Sequence, residues 1–245
     1  MTTIATQLNQ VRQRIATACL AAGREAHSVQ LLAVSKTFPA EAVAEALSAG
    51  QTAFGENYVQ EGVTKIDALR NSGHGERRHL QWHCIGPLQS NKTRDVAEHF
   101  DWVQSIDRLK IAQRLSEQRP ADLPPLQVCL QVNVDGGANK SGVAPQDLVA
   151  LAQAVAGLPR LALRGIMSIP EPAADFAAQL ALHQHAKAIF DAAGLAGQTG
   201  SDGNAIAWDT LSLGMSADLE AAIHAGSTLV RVGTAIFGGR PQPAA

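Results

Sequence analysis

Eight short apolar runs, each followed by a stretch of helical periodicity, limit what this chain can fold into. The runs are Leu31–Ser35, Thr52–Gly55, Trp82–Ile85, Trp102–Ser105, Leu126–Val134, Leu161–Ile169, Thr210–Leu213 and Thr228–Val232. Helical patterns fill the intervals at 40–49, Tyr58–Leu69, Lys92–His99, Arg108–Glu117, 146–156, 173–192 and Ala217–Ala225, and a short last one opens near Thr234. Runs of this length are too short for helices and too apolar for strands with one wet face. Their alternation with helices implies parallel strands joined by crossovers. Eight such units in 245 residues match an α/β fold, the (β/α)8 TIM barrel. A doubly wound open sheet is the rival, but no glycine-rich nucleotide loop follows the first run.

An amphipathic helix precedes the first strand, with Ile4, Leu8, Val11, Ile15, Cys19 and Leu20 at helical spacing and Gly23 at its end. One domain over 1–245 is expected, with residues 1–23 as an added N-terminal helix. A net charge of −2 gives no general attraction to nucleic acid or to an anionic membrane. Cys19, Cys84 and Cys129 lack CxxC spacing and read as reduced, buried thiols. The first ten residues have neither a basic nor an apolar leader region, so a cytoplasmic chain is expected. Ser72–His79 and Gly194–Ala205 read as mobile surface loops, the second with almost no apolar anchor.

In a barrel the chemistry gathers at the C-terminal ends of the strands. Those ends carry Lys36, Glu56-Asn57, His83, Ser105, Asn133, Met167-Ser168, Ser212 and Arg231. Lys36 closes an apolar run just before Pro39, which reads as a helix start. Beside a buried core, an amine loses proton affinity and can form a Schiff base; the plain alternative is a lysine that snorkels to water. Two matched turns follow strands seven and eight, Ser212 to Asp218 with Gly214 and Ser216, and Arg231 to Thr234 with Gly233. Barrels often bind phosphate at these loops, through backbone N–H groups and hydroxyls. On the plain reading Ser216 and Thr234 only cap helices. A phosphate there, with Lys36 on the adjacent first strand, describes pyridoxal 5'-phosphate. Ser216, Gly233 and Thr234 would hold its phosphate, and Arg231 would face the ring nitrogen and keep it unprotonated.

The phrases Ala33-Val34-Ser35-Lys36, Phe54-Gly55-Glu56-Asn57-Tyr58, Trp82 to Lys92, Leu163 to Met167, Leu211 to Asp218 and Val230 to Thr234 resemble the pyridoxal phosphate homeostasis protein family across nearly the whole chain. The resemblance implies a fold-type III barrel, similar to the N-terminal domain of alanine racemase. It implies a cofactor held on Lys36, a role in vitamin B6 and amino-acid balance, and no established turnover; an open pocket without a second base should also exchange its ligand, with pyridoxal-phosphate-dependent apoenzymes as expected partners. It also assigns Asn57, His83, Met167 and Ser212 to the cofactor pocket. Cys84 and Leu213 depart from the family's Phe and Met. Lys140 reads equally as a second amine for the aldehyde or as a solvated loop lysine. A racemase is the alternative activity. It needs a second base, for which the chain has one tyrosine, Tyr58, and His83, and no residues left for a second, dimer-forming domain. A monomer is therefore expected. A Schiff-base aldolase using Lys36 is the third reading.

Overall fold

The computed structural model describes residues 3–71, 80–137, 141–200, 203 and 205–239. Its strands are β1 (Gln30–Val34), β2 (Ala53–Glu56), β3 (Gln81–Cys84), β4 (Trp102–Ile106), β5 (Leu126–Gln131), β6 (Leu161–Met167), β7 (Thr210–Ser212) and β8 (Leu229–Val232). All pair in parallel with their sequence neighbours, and β1 pairs with β8 to close an eight-stranded barrel. The helices are α1 (Ile4–Ala21), α2 (Ala40–Ser48), α3 (Val59–Asn71), α4 (Thr93–His99), α5 (Leu109–Gln118), α6 (Leu148–Ala156), α7 (Phe176–Ala193), α8 (Leu219–His224) and α9 (Thr234–Phe237). The eightfold alternation thus closes as the (β/α)8 barrel, and no described helix is long and apolar enough to cross a membrane.

The main core lies between the barrel's outer face and the helices, where Phe54, Phe100, Ile66, Ile106, Ile111 and Leu115 are buried. Each such side chain contributes roughly 1.5–3 kcal/mol by leaving water. Since α9 is only one turn long, it covers little of the seam where the ring closes. Helix α1 fills that seam, packing against α2, α8 and α9 through Leu8, Val11, Ile15, Ala18 and Cys19. Arg14 of α1 pairs with Glu220 of α8 at 2.8 Å. The N-terminal helix is therefore part of the outer ring.

Several boundaries differ from the sequence expectation. Strand β5 stops at Gln131 rather than Val134, because Val132 bridges Val143 on the returning loop. Strand β6 stops at Met167, two residues short of Ile169, and α8 starts at Leu219. The segment after α7 has the apolar anchor that it was expected to lack. Leu195 is fully buried, Gly197 and Gln198 exchange backbone hydrogen bonds with Ile206, and Thr199 bridges Ala205. The Ser72–His79 loop lies outside the described residues. All three cysteines are free and buried, and burial pushes the Cys84 and Cys129 thiols up to about 12.

Candidate functional site

Lys36 stands two residues beyond the end of β1, half-buried, at the C-terminal rim. The chain turns sharply there: Thr37 has φ +68°, and Pro39, with φ −73°, is the N-cap of α2. Strand β8 leaves the barrel alongside β1, since Val232 registers with Ala33, and a Cβ on Gly233 would sit 3.0 Å from the Val34 carbonyl. Phe38 and Phe237 pack with ring centroids 5.3 Å apart. Lys36, Gly233 and Thr234 therefore share one edge of the rim.

The loop after β7 brings Ser216 to the neighbouring edge. It turns at Gly214, with φ +87°, where an added Cβ would meet Ala222 at 2.5 Å. Asp218 shapes the loop: its Oδ1 accepts the Met215 N–H at 2.6 Å and its Oδ2 pairs with His183 Nε2 at 2.9 Å. Although burial opposes ionisation, the bonds from His183 and Met215 hold the Asp218 carboxyl below its ordinary value. Ser216 and Thr234 are not N-caps, which are Asp218 for α8 and Gly233 for α9. The plain capping reading of these two hydroxyls fails.

Inside the barrel, a polar relay crosses from β8 to β3. Arg231 Nη1 donates to the Ser212 carbonyl and hydroxyl, both at 2.7 Å, and Nη2 donates to the Ser168 carbonyl at 2.9 Å. Ser212 Oγ, accepting from the guanidinium, donates to Gln104 Oε1 at 2.7 Å. That orients the Gln104 amide, whose Nε2 meets His83 Nδ1 at 2.9 Å. Nδ1 must then accept, so the imidazole proton resides on Nε2. Burial pulls the His83 pKa down to about 3, so the ring is neutral at physiological pH. Its Nε2 is buried with no hydrogen-bond partner among the described residues, and the ring stacks on Trp102 at 5.0 Å. Burial also lowers Arg231 to about 10, partly offset by Asp218, which leaves it a cation.

Not every strand-end residue faces the lumen. Glu56 points outward to Lys65 of α3 at 2.8 Å. Ser105 donates to the Gly86 carbonyl at 2.6 Å, while its neighbour Gln104 holds the relay. Sequence reasoning missed Gln104; the alternation of a strand puts it on the lumen face with Trp102. Met167 packs with Trp102 and Cys129 in the lumen. Asn57 is half-buried and lies over Gly86, where a Cβ would come within 2.2 Å of the Asn57 carbonyl. A cleft of about 520 Å³ opens beside Asn57, between Tyr58, Lys92, Arg108 and Ser141. Lys140 lies outside the described residues.

Residues 7–241 match the family model for the alanine racemase N-terminal domain. The pyridoxal phosphate homeostasis protein of Pseudomonas aeruginosa is 57% identical over 240 residues, covering 98% of this chain and 97% of that protein. The chain belongs to the pyridoxal phosphate homeostasis protein family. Its relative of the same name in Escherichia coli is 54% identical over 240 residues, with 98% of each chain covered. PipY of Synechococcus elongatus, solved with PLP bound, superposes with a TM-score of 0.78 at 34% identity, over 96% of this chain and all of PipY. Membership in this family accords with the barrel and with the polar rim at the exits of β1, β7 and β8.

Proposed function

We propose that this chain binds pyridoxal 5'-phosphate as a Schiff base on Lys36 and holds it for exchange, without turning over a substrate. The observation that carries this reading is the shared rim. The Lys36 exit turn abuts Gly233 and packs on α9 through Phe38, beside a buried cation, Arg231. The family supports it, as does the PLP-bound state of PipY.

The residues present fit the group. When bound, the cofactor supplies an aldehyde for an amine and a phosphate dianion for N–H and hydroxyl donors. Ser216, Gly233 and Thr234 would meet the phosphate at the exits of β7 and β8. Arg231 keeps two of its five N–H groups outside its bonds to Ser212 and Ser168, and its fixed charge disfavours a second positive charge on a nearby ring nitrogen. Such a site is a poor electron sink. Asn57 and Met167 would flank the pocket, and Ser212 holds Arg231 in place.

The alternative, a racemase, needs a base opposite the lysine. His83 Nδ1 already accepts from Gln104 and Nε2 carries the proton, so the ring offers a donor rather than a base. Tyr58 is 59% exposed, outside the lumen. Both observations favour a carrier that serves cofactor homeostasis.

An absorption spectrum tests the proposal. Purified protein mixed with pyridoxal phosphate should gain a visible band that Lys36→Ala lacks, and should pass cofactor to an apoenzyme. Absence of the band would refute cofactor binding at Lys36. Steady conversion of any amino acid at enzymic rates would refute the carrier role.

A further inference from the structure

We infer that Glu61 and Lys65, on the helix behind the site, are positioning residues that clamp the turn carrying Lys36. Thr37 is the strained point. Its φ of +68° is a left-handed conformation that a β-branched residue adopts only when its surroundings impose it. Its N–H donates to Glu61 Oε1 at 2.5 Å. The same oxygen accepts from Lys65 Nζ at 2.6 Å. Lys65 Nζ also donates to the Ser35 carbonyl and to Glu56 Oε1, each at 2.8 Å. Ser35 Oγ closes the set by donating to Glu56 Oε1 at 2.6 Å. All three N–H groups of the ammonium are matched. The residues on both sides of Lys36 thus hang from one lysine that is only 4% exposed.

Stability alone gives little reason for this arrangement. Burying an ammonium against two carboxylates carries a desolvation cost that an apolar side chain would avoid. Burial also raises the Glu56 carboxyl above its ordinary value despite Lys65 beside it. An apolar residue at position 65 could fill the space, but it could not grip the carbonyl of Ser35 or brace the acceptor for Thr37. Glu61 and Lys65 are four residues apart on one face of α3, so the helix converts its own fixed position into the setting of the turn. The backbone at residues 35 and 37 sets the direction in which Lys36 leaves the chain, and a relaxed Thr37 would turn it away from the loops of β7 and β8.

The inference rests on Lys36 as the cofactor residue, and two readouts separate it from that reading. In ligand-free protein, Glu61→Ala should speed amide hydrogen exchange at Thr37 at least tenfold while leaving the far-ultraviolet circular dichroism unchanged. In a titration with pyridoxal phosphate, Glu61→Ala should bind at least tenfold more weakly. Adding Thr37→Gly, which accepts a positive φ without strain, should recover affinity to within threefold of wild type. Unchanged exchange at Thr37, or a binding defect that Thr37→Gly does not relieve, would overturn the clamp. If wild-type protein forms no lysine adduct, the cofactor reading fails, and the exchange experiment still decides whether Glu61 holds the turn. Glu61 is the residue to change first because its side chain is 28% exposed, whereas Lys65→Met disturbs a buried site.

Discussion

His83 makes this protein sensitive to acid in a way that can be calculated and isolated. Its ring is buried, its Nδ1 is committed as an acceptor from Gln104, and burial lowers its pKa from 6.5 to about 3. The unfolded chain takes up this proton as pH falls through 6.5, and the folded chain does not until about 3. Stability from the neutral ring is therefore complete above the unfolded value and is lost as pH falls toward the folded one. Moving from pH 7 to pH 5 should cost about 2 kcal/mol through this residue, the slope rising to about 1.4 kcal/mol per pH unit only well below pH 6.5. The assay is urea unfolding of ligand-free protein at both pH values, followed by tryptophan fluorescence, for wild type and His83→Asn. The variant loses the stack on Trp102 and starts less stable, but it cannot titrate. Subtracting its pH dependence removes the other groups that titrate in this range. Wild type should lose about 2 kcal/mol more than His83→Asn between the two pH values. Equal losses would mean that the folded ring takes up a proton on Nδ1, and the assignment of Nδ1 as a committed acceptor from Gln104 would fall with it.

Two further substitutions test the geometry around the relay and the rim. Ser212→Ala removes the link between Arg231 and Gln104 and leaves a buried amide oxygen without its donor. It should cost roughly 1–3 kcal/mol, read as a melting temperature lower by about 3–10 °C. Gly86→Ala drives a methyl group against the Asn57 carbonyl, 2.2 Å from the ideal Cβ, and should both destabilise the fold and weaken pyridoxal phosphate binding. Gly136→Ala, at φ +68° with no described residue within 4 Å, is the control and should cost only about 1–2 kcal/mol of backbone strain with binding unchanged.

The barrel was legible because buried parallel strands need continuous apolar runs, and the runs beginning at Leu31, Leu126 and Leu161 stand out against helical stretches on either side. Lys36, Ser212 and Arg231 were legible as polar residues that end such runs. The direction in which each side chain points was harder to read. Glu56 and Asn57 are adjacent, and strand alternation sends one to α3 and leaves the other at the rim; a shift of one residue in β2 would exchange them. Gln104 was passed over for Ser105 for the same reason. The register of β4 shifts between Val103 and Ile106, so counting outward from the strand's end misleads there. Lys65 did leave a signal. It lies on the buried face of α3 with Val59, Gly62, Ile66 and Leu69, and a lysine on an apolar stripe calls for a carboxylate partner.

The two polar networks divide the work of positioning. Arg231 is tied to β6 and β7 through Ser168 and Ser212, and the relay reaches β4 and β3 through Gln104 and His83. That lattice lies within the lumen and fixes the side of the ring that carries the loops after β7 and β8. The exit of β1 is set from outside the barrel, by Glu56, Glu61 and Lys65. The two sets share no residue. They meet at the rim, where Gly233 abuts the Val34 carbonyl and Phe38 packs on Phe237. An amine that must reach a ligand anchored elsewhere needs both frames correct, yet each can be disturbed alone. On the carrier reading proposed above, the separation means that a change in the Glu61–Lys65 set should alter how Lys36 meets the cofactor while Arg231 keeps its bonds to Ser168 and Ser212.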